Sequence, residues 1–196
     1  MGRDDYEHIE IRSRFELRSW LEQHHGRDEG VWLRKYKKHH EHYVPWEHVV
    51  QELLCWGWID SMTRKLDADR SMLLITPRKP GSMWSRINKE HVEVIEAAGL
   101  MQPAGRARIE AAKSDGSWEM LDDIDALIEP DDLATALDAE PAARAAWDEF
   151  SASAKKLILW WVKSAKREAT RSKRISETAR LAALGLRAQH PEAKGR

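Results

Sequence analysis

Cysteine, long apolar runs and net charge are all scarce in this sequence. Cys55 is the only cysteine among 196 residues, which excludes an intramolecular disulfide and a thiolate-rich zinc site. No run approaches the roughly 20 apolar residues that a membrane span requires. The opening stretch MGRDDYEHIEIRSRFEL is charged and holds no apolar export segment, so a cytoplasmic protein with no membrane partner is expected. A formal net charge of −1 gives no global attraction to nucleic acid. Glycine-rich phosphate loops of the Walker or dinucleotide type are absent, which argues against nucleotide hydrolases of those classes. No cofactor is expected.

What is present is tryptophan, ten residues of it, and three of these fall in one mixed stretch. Residues 52–88 read ELLCWGWIDSMTRKLDADRSMLLITPRKPGSMWSRIN. Trp56, Trp58 and Trp84 are large apolar groups with one N–H each. Asp60, Arg78, Lys79 and Asn88 are groups that a protein rarely buries without a partner. Such a mixture suggests a pocket wall.

The chain around this stretch reads as α+β: a small antiparallel sheet with packed helices, followed by a helical C-terminal part. Ser13 caps a short helix whose apolar face is Phe15, Leu17, Trp20 and Leu21. GVWLRKYKK is a strand. Pro45 opens a helix with the buried stripe Trp46, Val49, Val50, Leu53 and Leu54, ended by Gly57. WIDSMTRKL and RSMLLITPRK flank DADR as a β-hairpin, although the turn lacks the glycine that a tight turn prefers. Ser82 or Ser85 then caps a helix with the face Ile87, His91, Val94, Ile95 and Ala98, and another helix runs from Pro103 to Lys113. Residues 1–118 are the expected core domain. Residues 119–190 form a helical region expected to pack on it, and 191–196 a frayed tail.

Charge is divided sharply along the second half. Ser114 to Phe150 holds twelve acids against Arg144 alone, whereas Ser151 to Arg196 holds twelve Lys or Arg against three Glu. Lys163, Arg167, Arg171 and Arg174 recur at helical spacing as one basic surface. Two readings stand: the stripe pairs with the acidic segment, or it contacts an anionic partner such as nucleic acid or an acidic protein.

The motifs taken together resemble the bacterial YdeI/OmpD-associated, or bacteriocin-protection, proteins. The resemblance rests on Glu52, Leu54-Cys55 and Gly57-Trp58-Ile59-Asp60. It continues through Thr76-Pro77-Arg78, Ser82, Trp84-Ser85, Asn88, Met101, Gly105, Ala112-Lys113, Gly116 and Trp118. It ends with Ala165-Lys166, Glu168, Thr170-Arg171 and Arg174-Ile175, in order over nearly the whole chain. It implies a role in antimicrobial or stress resistance, and no particular reaction, substrate or cofactor.

The residues themselves point to a pocket for a small anionic ligand. An arginine fork at Arg78 can hold a carboxylate or phosphate in bidentate fashion, with Lys79 beside it. Trp58 or Trp84 would stack on the ligand, and Asp60 and Asn88 would orient it. Ser82, Ser85 and Asn88 lie at a helix start, where free N–H groups favour an anion. Asp60 has three readings: a salt bridge to Arg78, a ligand-holding partner, or an acid/base catalyst, so enzymatic activity is left open. His40 and His42 could share a metal, but no third ligand has a diagnostic spacing, and no metal site is expected. Cys55 and His48 lie two helical turns apart, too far for a nucleophilic pair. The alternative function is an interaction module that uses the basic C-terminal helix.

Overall fold

The alternation in VWLRKY folds as a strand, β2 (Val31–Tyr36), and the hairpin forms as β3 (Trp58–Lys65) and β4 (Arg70–Pro77). In the computed structural model, which describes residues 5–189, these join a short β1 (His8–Glu10) in a four-stranded sheet of order β1-β2-β4-β3. The expected tail 191–196 lies outside the described residues. The pairs β2/β4 and β3/β4 are antiparallel, but β1 runs parallel to β2, with Ile9 opposite Leu33. The sheet is therefore mixed. Three residues are too few to display an alternation of period two, which is why β1 left no readable signal.

The hairpin turn manages without glycine. The Asp67 carboxylate accepts the backbone N–H groups of Asp69 and Arg70 at 2.9 and 2.7 Å, so a side chain closes the turn. A bulge between Asp60 and Thr63 interrupts the β3/β4 ladder.

Four helices cover this first unit: α1 (Arg14–His24), α2 (Trp46–Cys55), α3 (Arg86–Ala97) and α4 (Pro103–Asp115). Ser13 caps α1 and Ser85 caps α3, each accepting from the N–H three residues on. The helix α2 is the spine. Its Val49 and Leu53 join the core against the sheet with Leu17, Leu21, Leu33 and Trp58, while Val50 and Leu54 join a second core with Trp84, Ile95 and Ile109. Gly57 leaves α2 at φ +75°, a conformation that suits glycine. Gly105 brings α4 onto α2: a Cβ there would stand 2.3 Å from the Cys55 carbonyl oxygen.

Two apolar faces differ from expectation. Phe15 is 74% exposed, so α1 buries Leu17 and Leu21 and turns Phe15 outward. On α3, Ile87 and Val94 face solvent, and Val92 and Ile95 meet the second core. Periodicity gives the stripe, but when apolar residues are scattered around the helix only the neighbours select its phase.

The chain divides into two compact units at Leu121/Asp122. The second is helical: α5 (Asp122–Asp125), α6 (Asp131–Asp138), α7 (Pro141–Asp148), α8 (Ala152–Lys163) and α9 (Glu168–Ala183). Its Trp147 is fully buried and donates its Nε1–H to Glu129 at 2.7 Å. No helix among the described residues is long and apolar enough to cross a membrane.

Candidate functional site: a buried arginine with a free edge

Proline 77 ends β4, and the next residue turns inward. The Arg78 backbone N–H bonds the Gly57 carbonyl at 2.9 Å, tying the strand end to the exit of α2. Its side chain is only 2% exposed. The guanidinium carbon lies 3.6 Å from the centre of the Trp84 ring, a stacked cation–π contact. Nη1 donates to the Met83 carbonyl at 3.1 Å. Nε and Nη2 are buried and find no acceptor among the described residues.

These two nitrogens share one edge of the guanidinium, and their N–H bonds run parallel. That edge is the fork that matches a carboxylate or phosphate in two contacts. Burial pushes the Arg78 pKa down to about 10, opposed by the charge of Asp60, so the group stays cationic at neutral pH. A buried donor without a partner costs about 1–3 kcal/mol, more when it is charged. Two on one edge of one cation are a substantial stored cost.

Arg78 lines a cavity of about 20 Å³, with Lys79, Gly81, Ser82 and Trp84 on one side and α4 residues on the other. One water needs about 10–15 Å³ of such space, so the cavity suits a small group rather than a large ring. Asp115 closes it, accepting the N–H of Gly81 at 3.0 Å and of Ser117 at 2.9 Å. Ser117 Oγ is buried without a hydrogen bond of ordinary geometry, though it lies near enough to Asp115 to help hold that carboxyl below the usual range, together with the two backbone donors.

Residues 9–108, half of the chain, match the model of a family described as Domain of unknown function (DUF8412). The chain belongs to this family. The DUF8412 span contains Arg78 and Trp84, whereas Asp115 and Ser117 lie beyond it. Residues 126–185 match a second model, Bacteriocin-protection, YdeI or OmpD-Associated. The expected resemblance to that family is thus shown over residues 126–185, a span that holds Ala165, Lys166, Glu168, Thr170, Arg171, Arg174 and Ile175. The motifs from Glu52 to Gly105 fall in the DUF8412 span instead, and Ala112-Lys113, Gly116 and Trp118 fall in neither. No curated protein and no solved structure matches the chain.

Within the DUF8412 region the structure brings Arg78, Lys79, Ser82 and Trp84 together and separates the other expected site residues from them. Trp84 is 1% exposed and stacks on Arg78, so its near face is already taken. Trp58 is wholly buried in the sheet core and donates to the His25 carbonyl at 3.0 Å. Trp56 packs its ring on His25, 4.8 Å away, with its Nε1 buried and unpartnered among the described residues.

Asp60 accepts the Trp46 Nε1–H at 3.0 Å. It reaches Arg78 through its field, not as the ion pair that was one of its expected readings, since Arg78 makes no salt bridge among the described residues. Ser85 and Asn88 form the α3 cap, Oγ to N–H at 3.3 Å, outside the cavity lining. Lys79 is exposed at the rim. His40 stacks on Tyr36 at 4.1 Å, and its Nδ1 takes the His42 N–H. Among the described residues no cluster of three or more His, Cys, Asp or Glu could hold a metal ion. Burial pushes the Cys55 thiol up to about 12.

The basic stripe of the second unit is largely occupied. Lys163 bonds Asp123 at 2.7 Å, and Arg171 holds Asp132 through two bonds of 2.7 and 2.8 Å. That fork keeps the Asp132 carboxyl below the usual range. Arg174 donates to the Trp161 carbonyl and to Ser164 Oγ and lies 5.3 Å over the Trp161 ring. Arg167 stands at the N-cap position of α9 without a side-chain cap bond and is exposed.

Glu52 was legible only as part of the resemblance. It is fully buried on α2 and clasped by Arg14 at 2.5 Å and Arg18 at 2.9 Å from α1. A glutamate beside two leucines in a helix hints at burial, but nothing in the spacing shows partners 38 and 34 residues away.

Proposed function

We propose that the first unit is a binding module for a small oxyanion, received by the Nε/Nη2 edge of Arg78. One observation carries this: two charged donors on the same edge of a buried guanidinium, in a residue that lines a cavity, without acceptors among the described residues. Folding alone rarely leaves such a pair unmet. Trp84 fixes the plane of the guanidinium, Met83 fixes its rotation, and the exposed Lys79 and Arg108 at the rim add positive charge that draws an anion in.

Binding is better supported than catalysis. Asp60 is engaged with Trp46, and the Cys55 thiol is buried and held protonated, so neither stands ready beside the cavity as base or nucleophile. A cytoplasmic setting is part of the proposal, as is a role in stress or antimicrobial resistance. The alternative, a protein or nucleic-acid interface on the basic helix, is disfavoured because Lys163, Arg171 and Arg174 already serve partners within their own unit.

The test is a thermal-shift titration of the full chain and of Arg78→Met with small carboxylates, phosphate, sulfate and sugar phosphates. A ligand at about a hundred times its Kd raises the stability by about 2.7 kcal/mol. A shift in the parent chain that is lost in Arg78→Met supports the reading. A shift of equal size in both, or none in either, ends it.

A further inference from the structure

Resting on the oxyanion reading of Arg78, we infer that the bound group is a planar monocarboxylate on a short chain, selected over phosphate and sulfate. The guanidinium is stacked 3.6 Å from the Trp84 ring centre, and both groups are buried, at 2% and 1% exposed. An anion that meets the free edge therefore lies in the guanidinium's own plane, with the indole beneath that plane. A carboxylate meeting Nε–H and Nη2–H places both oxygens and its carbon in this layer. A tetrahedral oxyanion held by two oxygens must put its other two above and below, one of them on the indole side.

Charge agrees as well. Asp115 is fixed at the wall by the N–H groups of Gly81 and Ser117. Its negative charge raises the cost of a second negative charge on the ligand, so a monoanion is tolerated better than a dianion. Pro80, Ala111 and Ala112 supply no side-chain donors for further oxygens and offer an apolar lining for a short alkyl group. Two hydroxyls stand in the wall, Ser82 and the buried Ser117, whose Oγ has no hydrogen-bond partner among the described residues.

The site is read directly from the Nε–H resonance of Arg78 in ¹H–¹⁵N spectra of the full chain, titrated with acetate, propanoate, phosphate and sulfate at constant ionic strength. The resonance is assigned by its loss in Arg78→Lys, or, should that variant not fold, by its proximity to the Trp84 ring protons. Acetate and propanoate are expected to move it saturably, with a Kd about tenfold below that of phosphate, a difference of about 1.4 kcal/mol. Asp115→Asn, which keeps an acceptor for one of the two N–H groups, is expected to narrow that preference.

Saturation by phosphate or sulfate as tightly as by the carboxylates would overturn the monocarboxylate inference and leave the oxyanion reading standing. No response to any of the four anions would overturn both. An unchanged preference in Asp115→Asn would remove Asp115 as the selecting charge.

Discussion

Among the described residues of the first unit, Glu52 and Arg78 are the two charged side chains that are buried, at 0% and 2% exposed, and the fold treats them oppositely. Glu52 receives two arginines and has both oxygens occupied. Arg78 receives a carbonyl and an indole face, and keeps one edge free. Neutralised on all sides, a buried charge serves the fold. A buried charge with an unmet edge is poised for something else, because its desolvation has been accepted without the compensating contacts.

The widest test of that contrast is Glu52→Gln. It leaves Arg14 and Arg18, each about 30% exposed, facing a neutral amide across the α1/α2 contact. A loss of about 3 kcal/mol in urea unfolding is expected. A loss below about 1 kcal/mol would mean that the clasp is ornamental and would erase the distinction from Arg78.

Gly105→Ala sharpens the contrast from the side of the backbone. The new methyl would stand 2.3 and 2.5 Å from the carbonyl oxygens of Cys55 and Leu54. It must push α4, which carries the wall of the Arg78 cavity, away from α2. Overpacking of this kind costs about 1–3 kcal/mol. Urea unfolding should show it, and carboxylate titration should show weakened binding even though no lining side chain has changed.

A smaller effect is expected for Arg78→Met. The change forfeits the stacking on Trp84 and one hydrogen bond, but it also removes two buried donors without acceptors, so stability should move by no more than about 1 kcal/mol. A large loss, matching that of Glu52→Gln, would show that Arg78 is a structural charge as well.

The least conspicuous prediction concerns Cys55, whose thiol rises from its ordinary 9.0 to about 12 through burial, with the nearby Glu52 charge adding to it. An acid with a raised pKa lends its stability below the unfolded value and loses it as pH climbs through the folded one. Stability should therefore decline from pH 9.0 towards about 12. Cys55→Ala should flatten that decline, and a thiol reagent should label the native parent chain only as fast as it unfolds.

Parts of this were legible in the residues. The position of Gly57 after a buried stripe, the cap at Ser85 and the closeness of Trp84 to Arg78 all depend on neighbours within a few positions. The acidic and basic halves of the second unit do pair, as Lys156 with Asp125 and Arg171 with Asp132 show. Trp58 was less readable. Its alternation with Asp60 marks one face of a strand, but whether that face meets solvent or core depends on α1, which lies more than thirty residues earlier. The parallel partner of β2 was invisible for a different reason, since its three residues are too few to show a period of two.

By itself the sequence determined the α+β class, the hairpin, the helix starts near Ser13, Pro45 and Pro103 and the charge division, because these follow from local periodicity, capping and composition. Only the tertiary structure decided that Glu52 is satisfied and Arg78 is not. Satisfaction of a buried charge is a matter of which distant groups arrive within hydrogen-bond reach, and that is settled by how α1, α2 and α4 pack, not by the order of residues along any one of them.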